Sequence, residues 1–344
     1  MSVHEADRQT RDGNVGGAMQ KTIKTMADRS IEVSLGGKWK RVPALNVQGK
    51  NIVIVGKMVQ MAVVHDEEWL ETALGDPEAC VRELKRRDLH GLSPDIFTFT
   101  QKPPVTEPRY DYPMEFDSIA AAPTTDFKGW WESLPQETRK NVRRSQKRGV
   151  VVAVRPFDDA LVQGIAAVNN ESSTRQGRPN RHYGKSLDLV RKDHASFVDR
   201  SDFICAYLDD ELIGYLKLVY RGDIASILNI ASKTCHQDKR PSNALMAKAM
   251  ELCKAKGVTH LIYGKYHYGK KRNSSLLEFK IRHGFRELLM PRFYLSLTGW
   301  GALCLKLKLH HGLAGMLPPG IIEMAAMARA KWYNARNRWA GVAQ

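Results

Sequence analysis

A lysine stands where a helix should be apolar. The stretch SSLLEFKIRHGF (residues 274–285) sets Leu277, Ile281 and Leu276 along one stripe of a helix that advances about 100° per residue. Lys280 projects between Leu277 and Leu276 on that wheel, and Phe279 falls on the opposite side. Such a lysine either snorkels, with its methylenes packed and its ammonium in water, or fixes a positive charge inside the fold. A charge of the second kind can stabilise a negative charge that develops during a reaction or bind a substrate phosphate. Upstream, GKYHYGKKRNSS with the preceding Tyr263 offers hydroxyls (Tyr263, Tyr266, Tyr268), an imidazole (His267) and the charge of Lys265. Histidine can serve as a base near neutral pH, although the same residues suit a basic surface loop with aromatic packing. A third cluster, NNESSTRQGRPNRHYGK, gathers Arg175, Arg178, Arg181, His182, Tyr183 and Lys185 around two glycines. Arginines can grip phosphate or carboxylate bidentately, and Glu171 is the nearby carboxylate that could act as a base. Read plainly, the cluster is a solvated loop.

The composition bounds these readings. A chain of 344 residues, 43% hydrophobic and 26% charged, is globular and long enough for about two domains. Its five cysteines are scattered, with no C-x-x-C pair or zinc-ligand spacing, which fits a reducing compartment. No apolar signal region and no run of about 18 apolar residues occurs, so a cytoplasmic protein is expected. The net charge of +16 favours anionic partners: nucleic acid, phosphorylated donors or acidic lipid. Arg139, Lys140, Arg143, Arg144, Lys147 and Arg148 form one basic cluster, which the wheel spreads around its helix as a solvated face. Lys265, Lys270, Lys271 and Arg272 form another. Residues 300–340 carry six Lys/Arg against one Glu, with three tryptophans, and suit an acidic membrane interface or a packed helical pair. His310-His311 has no third ligand nearby in sequence and reads as packing or surface.

The elements follow from pattern and punctuation. Residues 1–37 read as a flexible leader. From 38 to 129 come short strands (NIVIVGK, MAVVHD, IFTFTQ), a helix opened by Asp76-Pro77 and an irregular proline-rich connection, PPVTEPRYDYP. KGWWESLPQETRKNVRRSQKRGV reads as one helix entered through Ser133 and Gln136 and closed by Gly149. VVVAVRPF is a strand, followed by helices around 158–170 and 186–199. FICAYL, LIGYLKLVY and IASILNIAS form a meander joined by hairpin signals. The helix SNALMAKAMELCKAKG, the strand VTHLIYG, the helix holding Lys280 and the strand FRELLMPRFYLSL complete residues 130–298. Residues 299–344 read as basic amphipathic helices.

This order resembles the GNAT acyltransferase fold. LPQETRKNVRRSQKRGVVVAV is similar to the stretch entering the acyltransferase domain of Fem-type aminoacyl transferases, and DELIGYLKLV to a GNAT hairpin. SNALMAKAMELCKAKGVTHLIYG is similar to the helix and strand after the GNAT donor-binding turn, and SSLLEFKIRHGF to a Fem-like F-K segment whose lysine is implicated in transfer. The resemblance implies an α/β (α+β) fold with a mixed central sheet, in which residues 38–129 would be a degenerate second copy. It implies transfer of an acyl or aminoacyl group from acyl-CoA (acetyl-CoA) or aminoacyl-tRNA to an amine, with a cell-envelope or polysaccharide precursor as acceptor. Lys280, Glu171, Tyr263 and His267 would be catalytic. Lys239, Arg240, Ser242 and Asn243 would hold the donor, and Arg175, Arg178, His182, Tyr183 and Lys265 the acceptor. No metal is implied, because amine attack on an ester or thioester needs only a base and an oxyanion donor. One departure stands out: the GNAT glycine turn that grips coenzyme A pyrophosphate is replaced here by HQDKRPSNAL. The alternative from another class is a non-catalytic basic module binding RNA or anionic membrane.

Overall fold

The computed structural model describes residues 30–35, 38–66, 69–86, 93–175, 178–268 and 274–311. The chain divides into two compact units. The first comprises residues up to His65, Gly75–Thr98 and Ser296–Leu303. Its strands are β1 (Ser30–Leu35), β2 (Lys38–Val47), β3 (Lys50–Val55), β4 (Met61–Val64) and β5 (Ile96–Thr100), laid side by side in that order. All neighbours are antiparallel except β4 and β5, which the helix α1 (Pro77–Arg86) separates in sequence. Asp76 caps α1 as expected, its carboxylate accepting from the Ala79 N–H at 2.9 Å. Ser30–Leu35 depart from the flexible leader expected over residues 1–37, because Ile31 and Val33 alternate with polar neighbours along an edge strand paired with β2. The remaining leader residues lie outside the described segments.

The second unit comprises Asp66–Leu74, Phe99–Leu295 and the chain from Cys304. Its elements in chain order are β6 (Met114–Pro123), α2 (Phe127–Ser133), α3 (Gln136–Lys147), β7 (Val150–Arg155), α4 (Asp159–Asn170) and the two-residue strands β8 (Thr174–Arg175) and β9 (Arg178–Pro179). There follow α5 (Leu187–His194), β10 (Ser201–Leu208), β11 (Glu211–Arg221), β12 (Ile224–Ser232), α6 (Pro241–Ala255), β13 (His260–Lys265), α7 (Ser275–Arg282) and β14 (Arg286–Ser296). The helix α8 (Gly299–Lys306) comes next in the chain and belongs in part to each unit. The sheet order is β14-β6-β13-β12-β11-β10-β7. Only β12 and β13 are parallel within it. Both faces are covered. Ile204 and Ala206 of β10 join the core under α2, α3 and α6, whereas Phe203 and Cys205 join the core under α4 and α5. A strand buried on both sides reads as near-continuous apolar sequence, and LIGYLKLVY in β11 is such a run, interrupted by Lys217.

Two elements differ from the sequence expectation. The expected single helix over KGWWESLPQETRKNVRRSQKRGV is two, because Leu134-Pro135 breaks it, and Ser133 donates its hydroxyl to Trp130 O instead of capping. The proline-rich connection runs into β6, a full strand between β14 and β13 that its polar start MEFDS conceals. The five cysteines are free, four of them buried and Cys235 exposed.

The C-terminal end of α7 is pinned to α2. The Trp130 indole N–H donates to His283 O at 2.9 Å, and Gly284 follows at φ +81°. A Cβ at Gly284 would lie 2.9 Å from Trp130 Nε1. Gly284→Ala is therefore expected to lose at least the 1–2 kcal/mol that left-handed backbone costs an L residue, roughly, plus the displacement of the indole. Urea unfolding of the variant, read as a fall in midpoint at unchanged slope, checks this.

Candidate active site

The candidate site begins where β12 and β13 part. They pair only over Ile224↔His260, Ala225↔Leu261 and Ser226↔Ile262, and β12 then runs on to Ser232 and β13 to Lys265. A bulge on β12, between the Lys217↔Asn229 and Leu218↔Ile227 pairs, helps turn the strand away. A second irregularity shifts β13 against β6 between Ile262 and Lys265, with Gly264 at φ +57°. That shift re-aims the Lys265 carbonyl.

Lys280 occupies the place this creates. It does not snorkel: the residue is 0% exposed, its ammonium donates to Lys265 O at 2.6 Å, and it lies 4.7 Å and 4.8 Å from the ring centroids of Tyr263 and Tyr268. Carbonyl and ring faces offset part of the cost of taking the charge out of water. Ser274 caps α7 through the Leu277 N–H and sets the helix phase. The expected stripe is rotated: Leu277 and Lys280 face inward, Phe279 packs against the main core, and Ile281 is exposed. Tyr263 also meets Phe285, 5.8 Å between centroids.

A second group gathers at the end of β12. Ser232 Oγ lies 3.0 Å from Ser242 Oγ in the first turn of α6, and its carbonyl lies 3.4 Å from an Arg175 nitrogen that also donates to Val168 O at 3.0 Å. Glu171 accepts from the Cys235 N–H at 2.9 Å. Burial works to raise the Glu171 carboxyl, but hydrogen bonds from Thr234 and Cys235 outweigh it and hold the group below its usual range. It is a charged anchor for the turn after β12 and a weaker base than a free carboxylate. His182 is half-buried, and burial followed by the Lys185 charge pushes its imidazole below the ordinary value, towards the neutral form. Tyr183 is exposed. The side chain of Arg178, and Lys270, Lys271 and Arg272, lie outside what the structure describes.

Other expected residues stand apart. His267 packs on Tyr266 and lies 3.7 Å from Glu287 of β14. Lys239 pairs with Asp238 at 2.9 Å, and the Lys265 side chain points outward while its carbonyl serves Lys280. Asn243 contacts His283 Nε2 at 3.1 Å, and His283 Nδ1 lies 2.7 Å from Phe279 O. That carbonyl can only accept, so His283 carries its proton on Nδ1 and receives the Asn243 amide on Nε2. Ser232 and His283 are not apparent from the sequence; one ends a strand, and the other looks like a helix-terminal cation.

The α6 N-terminus is a poor pyrophosphate cradle. Arg240, in the left-handed region at φ +58°, spends its N–H on Gln237 O; Pro241 has none; the Asn243 N–H bonds Arg240 O at 3.1 Å. Backbone donors of the kind that hold a diphosphate at a helix start are largely consumed. The basic cluster on α3 also differs from expectation. Thr138, Val142 and Ser145 are buried, so Lys140, Arg143, Arg144 and Lys147 share the opposite face as a stripe. Beside it a groove of 440 Å³ is lined by Phe127, Trp131, Arg143, Gln146, Lys248 and Glu251, with the Arg143 guanidinium 5.7 Å from the Trp131 ring centroid.

Residues 136–272 match the family described as an acetyltransferase (GNAT) domain. No curated protein matches the sequence significantly. Among solved structures, FemX is similar at 11% identity and TM-score 0.51, over 78% of this chain and 89% of that one. The C-terminal domain of a protein described as a lysylphosphatidylglycerol synthetase, from Agrobacterium fabrum, is similar at 13% identity and TM-score 0.50, over 77% and 87%. The structures carry the fold, GNAT-like and Fem-type, and the domain match carries the class of chemistry. Residues 136–272 thus carry the GNAT acetyltransferase match that the motifs implied, on a fold similar to that of FemX.

The buried histidines give the folded protein an acid limit. Burial pushes His283 down to about 4, against the pull of the Phe279 carbonyl and with help from Arg282; burial and Lys217 push His194 to about 4 as well. Above an ordinary value of 6.5 neither state holds the proton and stability is full. Between 6.5 and about 4 only the unfolded chain takes it up, so stability falls as pH falls. Each site is expected to contribute a loss on the order of 3 kcal/mol across that window. Urea unfolding at a series of pH values should show the decline, and His283→Gln should flatten it.

Proposed function

We propose that the protein transfers an acyl or aminoacyl group from its carrier to an amine, with aminoacyl-tRNA favoured as donor over acyl-CoA and a cell-envelope or polysaccharide precursor as acceptor. The buried Lys280 ammonium at the open end of the β12–β13 splay carries this reading. Attack of the amine on the ester carbonyl forms a C–N bond and a tetrahedral oxyanion, which a fixed cation stabilises without reorganising. Collapse breaks the bond to the carrier, whose oxygen leaves as a hydroxyl once it has the proton the amine gives up. Tyr263 and Tyr268 hold the lysine. Glu171 orders the turn after β12, and Arg175, His182 and Tyr183 belong to the acceptor side, to which Arg178 is assigned by its place in the sequence. Lys239, Arg240, Ser242 and Asn243 at the start of α6 face the donor.

Two observations support an RNA carrier: the spent backbone donors at α6, and the α3 stripe beside a groove walled by Phe127 and Trp131. Basic tracks flanked by aromatic faces suit a single-stranded RNA end. The name of the Agrobacterium neighbour describes a lysyl group on a phospholipid, in keeping with an envelope acceptor. Exposed Trp300 and Leu303 supply an apolar surface for a peripheral position on anionic membrane. Among the described residues no helix is long and apolar enough to cross a membrane. Most of residues 300–340 lie beyond those residues.

Lys280→Met should lower kcat about 10²- to 10³-fold. Its melting temperature should stay near that of the wild type, since a buried charge replaced by an apolar chain of similar volume is often neutral. Unchanged turnover would overturn the assignment. Aminoacyl-tRNA binding should weaken steeply with salt, and Lys140→Glu or Lys147→Glu should flatten the log–log slope by about 0.7 for each single-strand phosphate that is no longer neutralised. A saturable thermal shift with acetyl-CoA and none with aminoacyl-tRNA would reverse the choice of donor. Salt-dependent RNA binding without transfer to any amine would mark a binding module.

A further inference from the structure

His310 and His311, expected to lack a third ligand, meet one from nearly two hundred residues away. They lie in a short 3-10 turn, Leu309–His311, against Glu115 at the start of β6. His311 Nε2 is 2.9 Å from Glu115 Oε2, and His310 Nε2 is 3.4 Å from Oε1. The donor atoms of all three lie within 4.8 Å of one another. Around a tetrahedral zinc ion with bonds of 2.0–2.1 Å, neighbouring ligand atoms stand about 3.3 Å apart, and the two carboxylate–imidazole distances straddle that spacing.

The second observation is His310 itself. Its side chain is only 4% exposed, and among the described residues its ring nitrogens face only the Glu115 carboxylate, at 3.4 Å, and the Cys304 backbone, neither in good hydrogen-bond geometry. An imidazole so buried and so poorly bonded is costly, and its Nε2 faces the carboxylate at ion-pair distance. The Tyr294 ring lies 4.8 Å from the His310 ring, and the Tyr294 hydroxyl donates to Glu115 Oε2 at 3.4 Å, as an outer partner orients a ligating carboxylate. Glu115 and His311 are half-exposed, so solvent can reach a fourth position.

The geometry points to a divalent-metal site of His310, His311 and Glu115, with zinc the ion that two imidazoles and a carboxylate suit best. The ion fastens the Leu309–His311 turn to the start of β6. It takes no part in acyl transfer, which needs none of these residues.

The test uses the untagged full chain, stripped with EDTA, dialysed and titrated with zinc chloride by calorimetry, with metal content read by mass spectrometry. One equivalent should bind and raise the melting temperature, and cobalt(II) in its place should give the visible absorption of a low-coordinate nitrogen–oxygen site. Glu115→Gln and His311→Gln, both at half-exposed positions, should melt like the wild type in EDTA. Each should bind zinc more than about tenfold more weakly, since even outer partners cost 10- to 100-fold. A wild-type chain that takes up no zinc, or variants that bind it as tightly as the wild type, would overturn the site.

Discussion

Burying an ammonium completely costs several kcal/mol unless something takes over from water, and most of the architecture around Lys280 follows from meeting that cost. The Lys265 carbonyl that accepts its hydrogen bond is available because β13 leaves β12 after three pairs and shifts against β6 at Gly264. The two tyrosine faces come from β13 and from the residues just beyond its end. The helix must then be held at one rotation and one depth. Ser274 fixes its first turn, and the Trp130 indole and Gly284 fix its last. A splay in a sheet is ordinarily a weakness. Here it provides the acceptor that lets a cation sit in the interior.

A second buried lysine sharpens the point. Lys217, in the middle of β11, is also 0% exposed, and its ammonium reaches His194 O, Ser196 O and Ser196 Oγ, beneath the Phe203 ring. Three acceptors match three N–H bonds, and they close the turn after α5 on the opposite face of the sheet. That lysine is a strut. Lys280 lies on the α6 side, near the end of β13, and on the proposed reading the same residue type under the same penalty serves a different purpose.

The donor question turns on which groups already have partners. A helix start carrying Arg240, Pro241 and Asn243 has used or lacks most of the N–H groups that glycine turns leave for a diphosphate. Charge has moved outward to side chains on α3, where it forms a track and not a cradle. Side-chain tracks bind long polyanions through many weak, salt-sensitive interactions, whereas a cradle binds one compact anion. On the proposed reading, that difference in donor groups is what favours a long polyanionic carrier over a compact diphosphate.

Sequence patterns are sufficient where a local rule decides the outcome. The meander, α6 with Gly257 behind it and the Asp76 cap depend on periodicity and punctuation within about fifteen residues, and the structure has them. Lys280 is legible as an oddity, but whether it snorkels depends on a carbonyl fifteen residues away, freed by two strand irregularities that no spacing announces. The α3 stripe does not emerge from the charges alone, because the face that buries Thr138, Val142 and Ser145 contains no large apolar residue apart from one valine. The His310–His311–Glu115 cluster is invisible for a stronger reason: 195 residues separate Glu115 from His310. Pairing of β14 with β6 sets Arg292 opposite Glu115, and the chain then returns to the same strand end after α8. Ligand sets drawn from distant strands are properties of topology, and one sequence records topology only through elements that themselves have to be found first.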